Sequence, residues 1–205
     1  MGASSSPPGE AAGARPFRPR RPWFLTLALI FAWLVGAIAI LVAAMNLSLV
    51  RVTPEEFALR VDAETKLTAE ERARQKSTFE VYSAALQKAE GRVVPLAVAE
   101  LLLGASMVLF AQRAGAGRPW ARQALIQLTV AHVGLSFLEW KITPDIRVPE
   151  EEWHLAVDNV DRQDMPVGAS KLIQLGFLVG VSALSVLGLT RRRSRAFYEL
   201  SEASE

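Results

Sequence analysis

Apolar residues along this chain gather into four long blocks, separated by polar stretches, instead of recurring at the period of a soluble helix or strand. The first block, residues 23–50, contains no charged side chain. A helix needs about 20 residues, at about 1.5 Å each, to cross a bilayer. A cleaved secretion signal has an apolar region of roughly 7–15 residues. The block is therefore read as a span, with LVAAMN near its end as the one stretch resembling a processing site. The second block, residues 93–111, carries a single charge, Glu100, and places Pro95 in the expected first turn. The third, residues 120–140, is bracketed by Trp120 and Trp140, a residue type that favours the headgroup boundary. The fourth, residues 169–190, stops at Arg191, Arg192, Arg193 and Arg195. This pattern predicts an all-α polytopic membrane protein, with four transmembrane helices in a bundle.

The flanks give direction to those spans. Residues 1–22 are rich in small residues, proline and arginine, and read as a disordered basic tail. Arg15, Arg18, Arg20 and Arg21 lie directly before an apolar block, which suits a cytoplasmic membrane flank better than nucleic-acid binding. The short loop 112–119 and the tail 191–205 carry further basic clusters against helix ends. Total counts do not decide the orientation: with the N-terminus inside, eleven basic residues fall inside and twelve outside. The inner ones are clustered at helix ends, whereas most outer ones spread along the 51–92 segment, where the positive-inside rule is weaker. Both termini are accordingly expected in the cytoplasm, and the membrane is expected to be a bacterial cytoplasmic one.

The two outer segments predict a small helical extracytoplasmic cap. Thr53-Pro54-Glu55-Glu56 and Thr68-Ala69-Glu70-Glu71 are both capping boxes. The second opens a helix expected to run to Glu90 and close at Gly91, with Phe79, Tyr82, Leu86 and Ala89 on one apolar stripe. The acidic segment 141–168 is expected to form a short helix from Pro149 to about Arg162, with Trp153, Val157 and Val160 on one side. Its seven acids against three bases read as a solvated face, with a basic partner or divalent cations as the functional alternative.

Composition narrows the chemistry. Of 205 residues 51% are hydrophobic and 21% charged, with a formal net charge of +2, too small to imply a polyanionic partner for the whole chain. The absence of cysteine removes disulfides, thiolate metal sites, iron–sulfur clusters and cysteine nucleophiles. Two histidines, His132 and His154, are too few for a bis-histidine haem within the spans or a three-ligand zinc site without carboxylate help. The sequence has no HExxH, G-x-S-x-G or phosphate-loop motif. No enzymatic role, no cofactor and no metal site is expected.

Helices in lipid associate through close backbone approach and polar contacts. In the first span Ala32, Gly36, Ala39 and Ala43 form a small-residue row; Gly104 flanks Glu100 in the second, and Gly176 and Gly180 make a GxxxG in the fourth. These are the expected packing residues, and they also suit a homo-oligomer or a membrane-protein partner beside the lipid bilayer itself. Among polar groups, Glu100 is placed at a depth matching His132, and a hydrogen bond or ion pair between them is expected. Thr129, His132, Ser136 and Glu139 form a polar stripe along the third span, with Arg122 at its inner end and Gln174 approaching from the fourth. Glu139, Lys171, Arg51 and Arg92 are expected to sit at headgroup depth, the long basic side chains snorkelling to water, with interfacial ion pairs to Glu139 as the alternative. The Glu100–His132 pair acts as structural glue in one reading and as a proton or ion site in the other. The resulting function classes are a non-enzymatic structural, scaffolding or sensory subunit, and, alternatively, a small transporter or channel element using Glu100 and His132.

Overall fold

A computed structural model describes residues 20–158 and 169–202, with side chains from Lys171 onward in the second stretch. Among the described residues there are only helices: α1 (Trp23–Leu49), α2 (Pro54–Ala63), α3 (Ala69–Gly115), α4 (Pro119–Ile142), α5 (Pro144–Val157), α6 (Ala169–Thr190) and α7 (Arg192–Glu202). Three of them, α1, α3 and α6, are long and apolar enough to cross a membrane. Their outward faces carry large apolar side chains in unbroken bands, including Ile30, Trp33, Ile38 and Leu41 on α1 and Ile173, Phe177, Leu184 and Leu187 on α6. Apolar surface on this scale is wetted by lipid, not water. The chain is thus an integral membrane protein. Helix α4 has the length, but with Gln123, Gln127, His132, Ser136 and Glu139 it is not among the helices apolar enough to cross.

Both capping boxes form. Thr53 accepts from the Glu56 amide and Thr68 from the Glu71 amide, with each glutamate reaching back to the cap amide. The helix that Thr68 opens does not close at Gly91. It continues without interruption for 47 residues, about 70 Å, more than twice a hydrocarbon core. Pro95 is therefore interior, not in a first turn. Its ring forfeits the hydrogen bond to the carbonyl of Gly91, and both positions are exposed. One buried stripe runs the whole length: Phe79, Tyr82, Leu86 and Ala89, then Val93, Ala97, Glu100, Gly104, Met107, Ala111 and Ala114.

The packing has two cores. At one end, Leu25, Leu29 and Ala32 of α1 meet Met107 and Ala114 of α3, Leu125 of α4, Leu189 of α6 and Phe197 and Tyr198 of α7. At the other end, α2, α5 and the first half of α3 close around aromatic rings. Phe57 stacks on Phe79 at 3.9 Å and Trp153 on Tyr82 at 5.1 Å. Helix α5 begins at Pro144, earlier than Pro149, and its described part ends at Val157; Val160 and Arg162 lie outside the described residues. Residues 1–19, expected as a tail, are likewise outside them. The segment after Arg191, expected only as a tail, forms α7 because Phe197 and Tyr198 bury one face and Ser194 donates to the Gly188 carbonyl at 2.6 Å.

The α1–α3 seam brings two backbones together. A Cβ added at Gly104 would lie 2.6 Å from the Gly36 carbonyl oxygen, and one at Gly36 would lie 2.8 Å from that of Gly104. Ala32, Ala39 and Ala43 are buried along the same seam. Helix α6 approaches α1 elsewhere than at its GxxxG. Gly188 abuts Ala28, and the Ser185 hydroxyl donates to the Ala28 carbonyl at 3.0 Å. A Cβ at Gly176 or Gly180 would meet nothing, because both face outward.

Candidate functional site

Near the aromatic core the helices leave a cavity of about 400 Å³ between α1, α3, α4 and α6, under the start of α5. Helix periodicity explains its polar wall. On α4, His132, Ser136 and Glu139 follow one another at four- and three-residue steps and turn the same face inward. Glu100 projects toward them from the buried stripe of α3. Glu100 is 6% exposed and His132 5%. The opposite wall is apolar, formed by Val35, Ile38, Ala39 and Val42 of α1 with Phe177 and Leu178 of α6. Ile38 and Phe177 are also exposed on the outer surface, so the cavity opens sideways between α1 and α6.

The polar groups divide into those already committed and those left over. Ser136 donates to the His132 carbonyl at 3.0 Å and Thr129 to the Leu125 carbonyl at 2.8 Å. These hydroxyls bond back into their own helix, four residues earlier, and offer the cavity little. Thr129 is buried but does not line the cavity; Gln174 does. Lys171 forms an ion pair with Glu150 of α5 at 2.9 Å. Arg147 lies 4.7 Å over the Trp140 ring and donates to the Trp140 carbonyl.

Glu100 and His132 share this cavity, but no hydrogen bond or ion pair joins them among the described residues. Glu139 of α4 lines the same cavity as Glu100. The His132 Nδ1 is buried without a partner. Among the described residues no ion pair joins Glu139 to Lys171, Arg51 or Arg92, the alternative weighed for the outer boundary. Lys171 is on Glu150, and Arg92 bonds the Ile142 carbonyl at 2.7 Å and Asp145 at 2.6 Å. The Arg92 hydrogen bond holds the Asp145 carboxyl below the usual carboxylate range. Arg122, at the inner end of the stripe, sits 5.4 Å over the Tyr198 ring, and burial pushes the Tyr198 hydroxyl up to about 12.

The sequence did not flag Arg147 and Glu150 as cavity residues, since they belong to a helix whose start was misplaced by five residues. Trp140, read as a boundary anchor, is also a lining residue. Comparison with protein-family models, with curated proteins and with solved structures finds no match to this chain. The geometry of the cavity is therefore the basis on which function is argued.

Proposed function

We propose that this is a non-enzymatic sensory or accessory subunit of a bacterial cytoplasmic membrane that binds a small amphiphilic molecule. The observation that carries this reading is the shape and polarity of the cavity: charged at one end, apolar along one wall, and open sideways where lipid would lie. Ligand sites of about 300–1,000 Å³ with an apolar lining and a few convergent polar groups are the common form of such pockets. In this reading α4 is the fourth crossing, and α2, α5 and the first half of α3 form the extracytoplasmic cap. Support for the sidedness comes from one end of the fold, where Arg21 donates to the Gly115 carbonyl, Arg191 lies 5.4 Å over Phe24, and Arg122 lies over Tyr198. Arginines gathered at one end favour the cytoplasmic side, with both termini there.

The test uses lipid nanodiscs and three probes with the same tail: octanol, octanoate and octylamine. At least one should raise the melting temperature, and Val42→Trp, which fills the apolar wall, should remove the increase. At a hundredfold excess over Kd the stabilisation is about 2.7 kcal/mol. Identical shifts in the parent protein and Val42→Trp would refute the reading. A transporter or channel element is the second reading, favoured by Glu100, His132 and Glu139 lining one cavity, and predicts pH-dependent flux in proteoliposomes that Glu100→Gln abolishes.

A further inference from the structure

We infer that an anionic phospholipid binds in a second groove, between the start of α1 and the end of α3, with its phosphate on Arg21. This site is separate from the cavity above and does not rest on the amphiphile reading. The groove has a volume of about 590 Å³. Beyond the crossing of Gly36 and Gly104, Leu29 and Ala111 form its buried floor, and the exposed Ile30, Trp33 and Leu34 form its rim on α1. From Arg21 to Leu34 it follows the chain for about 20 Å, close to the thickness of one leaflet with its headgroups. The groove thus has a polar mouth at the arginine-rich end and an apolar length that an acyl chain fits.

Charge chooses the headgroup. The polar lining residues are Arg21, Thr26 and Gln112, so among the described residues the ionised group of the lining is a cation. Arg21 donates to the carbonyl of Gly115, where an added Cβ would lie 3.6 Å from its Nη1. A guanidinium has five N–H donors and pairs readily with phosphate oxygens, so one carbonyl does not exhaust it. A helix C-terminus by itself repels an anion. Here its carbonyls are occupied: those of Gln112 and Arg113 accept from the Ala116 amide, that of Ala114 from the Gly117 amide, and that of Gly115 from Arg21. The surrounding field is positive as well. Among the described residues this end of the molecule holds nine arginines and, as acids, Glu199 and Glu202. A zwitterionic headgroup would bring its own cation against them, and an anionic one does not.

The experiment reads Trp33, which lines the groove, through fluorescence quenching by lipids with brominated acyl chains. The full-length protein is reconstituted in phosphatidylcholine vesicles that contain an equal small fraction of brominated phosphatidylglycerol or brominated phosphatidylcholine. Subtracting the same curves for Trp33→Phe isolates Trp33 from the other tryptophans. Phosphatidylglycerol should quench it with about fivefold preference, the ratio that one arginine near the headgroups gives. Arg21→Gln should bring that ratio to about one. Because Arg21 also holds the end of α3, Gln112→Glu is a second variant, at an exposed position in the mouth of the groove. Arg192→Gln lowers the charge of the same end equally, from α7 and outside the lining. The preference should fall in Gln112→Glu and persist in Arg192→Gln, with circular dichroism melting curves showing that each variant is folded. Equal losses in those two variants would reveal a diffuse field in place of a site and overturn the inference. A folded Arg21→Gln that keeps the preference, or a ratio near one in the parent protein, would overturn it too. So would a Trp33 signal that neither brominated lipid quenches, since the groove would then be covered by protein, such as a second copy of this chain.

Discussion

Replacing Gly104 by alanine puts a methyl group 2.6 Å from the Gly36 carbonyl oxygen, a backbone atom that no rotamer change can move. Ordinary contact requires about 3.4 Å, so α1 and α3 must part by somewhat under 1 Å along the seam where Ala32, Ala39 and Ala43 are also buried. Overpacking of this kind costs about 1–3 kcal/mol. Alanine also gains about 1 kcal/mol over glycine in a helix interior, which hides part of the penalty. Gly91→Ala supplies the reference, because it lies in the same helix with nothing within 4 Å of its new Cβ. The difference between the two variants isolates the packing cost, and Gly104→Ala should be the less stable by about 1–3 kcal/mol. Denaturation with increasing SDS in mixed micelles, followed by circular dichroism, measures both. Equal stability of the two alanine variants would mean that α1 and α3 do not cross backbone to backbone at this point.

Two further changes probe the ends of the molecule. Trp153→Ala empties the centre of the aromatic cluster beside Phe57, Phe79 and Tyr82 and should cost about 3–5 kcal/mol, with protease cleavage in α2 or α5 rising before the apolar helices unfold. At the other end the Tyr198 hydroxyl is buried without a partner, so Tyr198→Phe should raise the melting temperature at neutral pH. Because the folded value is raised from 10.0 to about 12, the folded state holds the phenolic proton more tightly than the unfolded chain does. That stabilisation is complete below pH 10 and is lost between 10 and 12. Parallel alkaline melting curves for the parent and Tyr198→Phe would count against it.

Much of the helical content was legible, because apolar blocks and capping boxes are local signals. The continuity of α3 was not, since Gly91 and Pro95 both punctuate helices. Yet the stripe from Phe79 to Ala114 keeps its three- and four-residue steps across both residues, and register outweighs two exposed breakers. The α6 glycines mislead in the opposite way. Gly176 and Gly180 form the familiar motif, while the close approach to α1 is made by Gly188 and Ser185, small residues without a motif. Matching depth alone suggested His132 for Glu100. Depth does not fix azimuth, and Glu100 and His132 line one cavity with Glu139 while no hydrogen bond joins the expected pair among the described residues.

The least legible part was the link between the aromatic cluster and the cavity, because it depends on where one short helix lies. Helix α5 turns Ile146 and Trp153 into the aromatic core while Arg147 and Glu150 line the cavity. The Arg92–Asp145 pair and the hydrogen bond from Gln75 to the Ala156 carbonyl pin its two ends to α3. At its middle, Glu150 holds Lys171 at the cavity end of α6. A molecule entering between α1 and α6 would therefore meet groups held by α5. Any displacement of Lys171 or Arg147 would bear on a helix whose other face is locked into rigid aromatic packing. That coupling gives a sensory role a physical route from the lipid-facing cavity to the α2–α5 cluster, which a purely structural polar pair would not require.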